Sequence, residues 1–148
     1  MTLTETTAQG QTQALSFEFD LQHGPQKVWR ALTDPALLAE WLLPVVEPTR
    51  KLEPGVAITF KAQPQPNWDG IVHSRVLELE AHSKLSYTWV VGGMDTVVTF
   101  TLTPTASGTR LSLVHSGFKP DQKQNFGGAR YGWNLMGGKL VDVLARLP

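Results

Sequence analysis

The sequence contains no cysteine, which removes disulfides, thiolate metal sites and cysteine nucleophiles together. That absence suits a reducing compartment, and the cytoplasm is the expected location. An excess of either charge is also missing. The 13 Lys and Arg balance the 13 Asp and Glu, so no global field draws in nucleic acid or anionic lipid. No apolar window approaches the ~18 residues that a spanning helix needs. The opening MTLTETTAQGQTQA has neither the basic start nor the apolar stretch of a signal peptide. Catalytic signatures are absent as well: there is no HExxH, no Gly-rich phosphate loop and no nucleophile elbow. His23, His73, His82 and His115 are far apart and fall on different expected faces, so no histidine metal cluster is expected. The residues point to no cofactor and give no positive indication of an enzyme.

What remains is enough chain for one core, since single domains usually hold roughly 100–150 residues. Residues 1–13 are rich in Thr and Gln and nearly devoid of apolar side chains. They cannot offset their ordering entropy by burial and are read as a disordered tail, leaving 14–148 as a single domain. Leu15, Phe17, Phe19 and Leu21 alternate with polar residues, the pattern of a strand with one buried face. Two short helices follow. One opens at Gly24-Pro25 and carries Val28, Trp29 and Leu32; the other opens at Asp34-Pro35, carries Leu37, Leu38, Trp41 and Leu42, and stops before Pro44.

From Val56 onward, strands succeed one another. Val56, Ile58 and Phe60 alternate, and Gln63-Pro64-Gln65-Pro66-Asn67 reads as a loop. A strand from about Trp68 to Glu80 has conflicting parities, Ile71, Leu77 and Leu79 against Val72 and Val76, which a β-bulge would reconcile. Leu85, Tyr87, Trp89 and Val91 lead into a Gly92-Gly93 hairpin; Val98, Phe100 and Leu102 return; and Leu111, Leu113 and His115 share the inward face of the last strand. From Asp121 to Leu147, Phe126, Ala129, Trp133, Met136, Leu140, Val143 or Leu144, and Leu147 recur at helical spacing. Gly127, Gly128, Gly132, Gly137 and Gly138 interrupt this stretch, each costing about 1 kcal/mol against alanine. Its first part is therefore expected to begin as a loop or to be irregular. This order of elements describes an α+β helix-grip fold: a curved antiparallel sheet wrapped around a long C-terminal helix, with two short helices after the first strand. The space between sheet and helix is its natural pocket.

The segments Val28-Trp29-Arg30-Ala31-Leu32-Thr33-Asp34-Pro35, Leu38 to Trp41 and Leu85-Ser86-Tyr87-Thr88-Trp89 occur in that order. They are followed by Thr99-Phe100-Thr101-Leu102-Thr103-Pro104, Gly108-Thr109-Arg110-Leu111, Val114-His115-Ser116-Gly117-Phe118 and Gly132-Trp133. In this ordered set, spanning Leu15 to Leu147, the chain resembles the SRPBCC or START-like superfamily, in particular the branch similar to the C-terminal domain of the activator of heat-shock protein 90 ATPase. The resemblance implies the helix-grip fold. It implies much less about activity, because that fold hosts ligand carriers, cyclases, hydrolases and chaperone cofactors.

Three functional expectations follow. The first is binding of a small hydrophobic or aromatic molecule in the sheet–helix cavity. Candidate ligand-binding residues are Trp41, Phe60, Trp89, Phe100, Leu113, His115, Arg130, Trp133 and Met136. The tryptophans offer stacking faces and indole N–H groups, and Arg130 offers a partner for a ligand carboxylate. Each has a plainer reading, as core packing or as a surface ion pair. Trp68, beside Asp69-Gly70, is expected at the pocket rim or the sheet edge. The second expectation, implied by the resemblance, is a module that contacts a chaperone or another protein; in that family the activity also depends on a separate N-terminal domain that this sequence does not contain. The third is a cyclase-like or hydrolytic enzyme in which His115 acts as general base with a pocket carboxylate. Its plainer alternative is a histidine hydrogen-bonded within the core.

Overall fold

A computed structural model describes residues 3–7, 13–47, 52–64, 68–119, 121 and 123–147. Its elements are β1 (Leu3–Thr7), β2 (Gln13–Leu21), α1 (Pro25–Thr33), α2 (Pro35–Trp41), β3 (Val45–Glu47) and β4 (Ala57–Lys61), followed by β5 (Ile71–Glu80), β6 (Lys84–Val91), β7 (Met94–Thr105), β8 (Gly108–Phe118) and α3 (Lys123–Arg146). Eight antiparallel strands form one sheet in the order β1-β2-β8-β7-β6-β5-β4-β3. α3 lies against α1, α2 and β2. Among the described residues one cluster of buried apolar side chains lies between the sheet and the helices. This is the helix-grip fold. Among the described residues no helix is long and apolar enough to cross a membrane.

The N-terminal stretch departs from expectation. Leu3–Thr7 pairs with β2, from Leu3 opposite Phe19 to Thr7 opposite Leu15, where a disordered tail was expected. Composition bears on the apolar area a segment can bury, whereas an edge strand is held by backbone hydrogen bonds, and a threonine-rich segment suits that conformation. The other residues of the expected tail up to residue 12 lie outside the described residues, as do 65–67 of the expected loop. β3, a short edge strand paired with β4 at Val45 and Phe60, was not foreseen.

Helix starts follow their local chemistry. Pro25 and Pro35 each stand in the first turn, after Gly24 and Asp34, and the Asp34 carboxylate accepts from the Ala36 N–H at 3.0 Å. Trp41 closes α2 onto α1 by donating its indole N–H to the Ala31 carbonyl at 2.8 Å. On β5 the conflicting parities resolve at a register shift between Val76 and Glu78. Val72, Ser74 and Val76 are buried on one side of it, Leu79 is half-buried beyond it, and Leu77 is exposed at the irregularity.

Two glycines position the site. Gly117, at φ +101°, stands at the register shift where β8 leaves β2. The extra residue moves Phe118 onto the inward side already held by Leu111, Leu113 and His115, all buried. Gly137 lies where α3 crosses β2: a Cβ there would come within 2.5 Å of Cε1 and 2.9 Å of Cζ of Phe19. α3 is nonetheless helical from Lys123 onward, against the expectation of an irregular first part. Tertiary packing of Trp133, Leu140, Val143 and Leu144 outweighs the unfavourable propensity of the glycines.

Candidate functional site

The sheet, Leu42-Leu43 and α3 from Gly128 to Lys139 line an open-mouthed cavity of about 580 Å³, inside the ~300–1,000 Å³ range of small-molecule pockets. Its volume arises from the helix side, where Gly128, Ala129 and Gly132 present almost no side chain to the sheet. The floor is aromatic. Trp89, Trp133 and His115 line it, and all three are buried. The indole rings of Trp89 and Trp133 lie 5.6 Å apart at 48°. Trp68 adds a side wall, held by its N–H donating to the Ile71 carbonyl at 3.0 Å. At the mouth stand Leu135, Met136 and Lys139 of α3, with Leu135 52% exposed.

His115 is fully buried and both its ring nitrogens are engaged. The Trp133 indole lies 2.9 Å from Nδ1. An indole nitrogen can only donate, so Nδ1 is the unprotonated acceptor and the neutral ring carries its proton on Nε2. Nε2–H then donates to Thr96 Oγ1 at 2.7 Å, and that hydroxyl donates to the Trp89 carbonyl at 2.7 Å. The chain of donors is complete, and it ties α3, β8, β7 and β6 together under the cavity. Burial pushes the His115 pKa down to about 3. The ring is thus neutral, with no spare lone pair for a substrate proton and no carboxylate among its partners, which leaves a His115 general base without its chemistry. Among the described residues there is no group of three or more side chains able to hold a metal ion.

The expected ligand-binding residues divide by depth. Trp89, His115, Trp133 and Met136 line the cavity. Phe60 packs behind Trp89 with ring centroids 5.5 Å apart, and Phe100 lies between Trp41 and Trp133, at 6.2 and 6.1 Å. Leu113 is buried in β8 opposite Phe17 and Phe100. None of these four, Trp41, Phe60, Phe100 and Leu113, reaches the cavity wall. Arg130 is exposed, with its guanidinium 5.8 Å from the centre of the Phe126 ring and off the lining. Sequence reasoning missed Leu42, Leu43, Val72, Met94 and Lys139 on the lining. Met94 had a signal, because the parity of Val98 and Phe100 extends back to it through the hairpin. Lys139 had one too, one helical turn beyond Met136 and Leu135.

Among the described residues two buried hydroxyls, Ser74 Oγ and Tyr87 Oη, have no hydrogen-bond partner. Tyr87 lies among Phe60, Trp89 and Phe100, beneath the cavity floor, and its pKa is raised by burial.

Comparison with known proteins agrees with this architecture. No curated protein matches the chain. Protein MLL2253 from Mesorhizobium loti is 38% identical, with a TM-score of 0.82 over 91% of this chain and 98% of its own. A protein from Rhodobacter sphaeroides is 24% identical, with a TM-score of 0.76 over 98% of this chain and 100% of its own. CalU16 from Micromonospora echinospora, at 18% identity and a TM-score of 0.72 over 99% of this chain and 90% of its own, shares the fold. The sequence profile of the family described as Activator of Hsp90 ATPase homolog 1-like protein matches residues 22–145. With nearly all of its folded length matched, the chain belongs to that family, which is of the SRPBCC type.

Proposed function

We propose that the protein binds a small hydrophobic or aromatic molecule in the cavity between the sheet and α3. The observation that carries this reading is the apolar cavity of about 580 Å³ with Trp68, Trp89 and Trp133 on its wall. A space of that size lined by Leu, Val, Met and indole surfaces favours a ligand that is itself apolar, by about 25 cal/mol per Å² of area removed from water. The buried polar groups of the floor are already paired with one another, so they add orientation and shape rather than chemistry.

Tryptophan fluorescence provides the test, since three of the five tryptophans face the ligand. Titration with a panel of flavonoids, fatty acids and sterols should give saturable quenching by at least one class. Ala129→Phe, which places a ring in the cavity from α3, should weaken that response at least tenfold while the fold is retained by circular dichroism. Absence of saturable quenching across the panel would sink the reading.

A further inference from the structure

The charge on the cavity wall narrows the ligand class, on the premise that the cavity binds a ligand at all. Among the described residues Lys139 is the single charged side chain in the lining, and no carboxylate accompanies it there. Among the described residues the cations at Lys84, Arg110 and Arg146 are held by Glu78, Asp20 and Glu40; Lys139 has no such partner. It stands one helical turn past the exposed Leu135, at the mouth, with its charged end free to reach water.

The floor sets the opposite requirement. His115 has spent both ring nitrogens on Trp133 and Thr96, and the surrounding surface is aromatic. A charged group carried down to it would be desolvated without compensation, which costs far more than any apolar contact returns. A ligand charge must therefore stay at the mouth, where a lysine ammonium is its neighbour. A cationic head would be repelled there, and a neutral one could accept a hydrogen bond from Lys139 but would lack the charge attraction.

We propose that the ligand is an anionic amphiphile: a flat apolar body lying against Trp89 and Trp133, with a carboxylate-type head at the mouth facing Lys139. Arg130, the residue that sequence reasoning offered for this role, lies off the lining over Phe126.

The experiment compares two probes of one shape, 9-anthracenecarboxylate and 9-anthracenemethanol, by quenching of tryptophan emission in the wild-type protein, Lys139→Gln and Lys139→Glu. Lys139 is exposed, so both variants should keep the fold, checked by circular dichroism. The carboxylate should bind the wild type roughly twofold to fivefold more tightly than the alcohol, the size of an exposed charge pair. That preference should vanish in Lys139→Gln, reverse in Lys139→Glu and shrink at high salt. Equal binding of the two probes by the wild type, or a preference that survives Lys139→Gln, overturns the anionic assignment while leaving the cavity reading in place. Saturable quenching by neither probe overturns the flat-bodied anionic ligand, while the cavity reading falls only if the wider panel also gives none.

Discussion

Acidification should weaken this protein through one buried ring. His115 is neutral in the fold, enclosed by the rings of Trp89, Phe118 and Trp133 at centroid distances of 6.0, 4.6 and 5.9 Å. Protonation would place a second hydrogen on Nδ1, directly against the Trp133 indole N–H. Burial lowers the pKa from 6.5 to about 3, while in the unfolded chain the ring titrates normally. Because the folded value is the lower one, the stabilisation is fully present above the unfolded pKa and drains away as pH falls toward the folded one. At about 1.4 kcal/mol per pH unit below the unfolded pKa, acidifying from about pH 7.5 to about pH 5 costs roughly 2 kcal/mol. Urea denaturation followed by tryptophan fluorescence at both pH values measures this directly. The control is His115→Gln, which can accept on one side and donate on the other but cannot titrate. It cancels the contribution of His23, whose pKa is also lowered, by partial burial and by Lys27. The wild type should lose about 2 kcal/mol more than the variant. Equal losses would mean that His115 titrates freely in the folded protein, and the donor chain through Thr96 would be wrong.

Adjacent glycines on α3 should respond with opposite signs. Gly137→Ala drives a Cβ into the Phe19 ring and should cost ~1–3 kcal/mol; Gly138→Ala, with nothing within 4 Å, should gain about 0.5–1 kcal/mol, both read from urea midpoints. Tyr87→Phe removes a buried hydroxyl without a partner and should be neutral or stabilising by up to ~1 kcal/mol; a loss larger than that in thermal melts would reveal a bridging water. Asp34→Ala deletes the cap on the Ala36 N–H and should lower stability by about 1 kcal/mol.

The order of elements was legible because most of the strands are half-buried, and a half-buried strand writes its facing into alternate residues. Val98, Phe100 and Leu102 show this, as do Leu111, Leu113 and His115, all buried. Even the irregularity in β5 left a trace, in apolar residues that change parity around Val76 and Glu78. β1 left no such trace, since Leu3–Thr7 is recruited by the backbone of β2, and backbone hydrogen bonding has no side-chain periodicity. β3 is three residues long, too short for a period to be seen.

The site was only half legible, for a different reason. Parity states which side of the sheet a residue faces, but not how far along the helix it stands, and depth decides between core and cavity. Phe60, Phe100 and Leu113 face inward as read and lie beneath the floor, whereas Trp89 and His115 face inward and form it. What separates the two groups is the helix opposite. The C-terminal half of α3 fills its share of the interior with Leu140, Val143 and Leu144, all buried. The N-terminal half offers Gly128, Ala129 and Gly132 and leaves the volume open. Those glycines register in the sequence as a cost to helix formation, which is why an irregular start was expected. Their cost is local and modest, while the space they leave is what a ligand would occupy. A run of small residues on the inward face of the gripping helix, opposite tryptophans on the sheet, is thus the sequence signal for the cavity. Filling it from Ala129, one of the small residues on the lining, tests that signal.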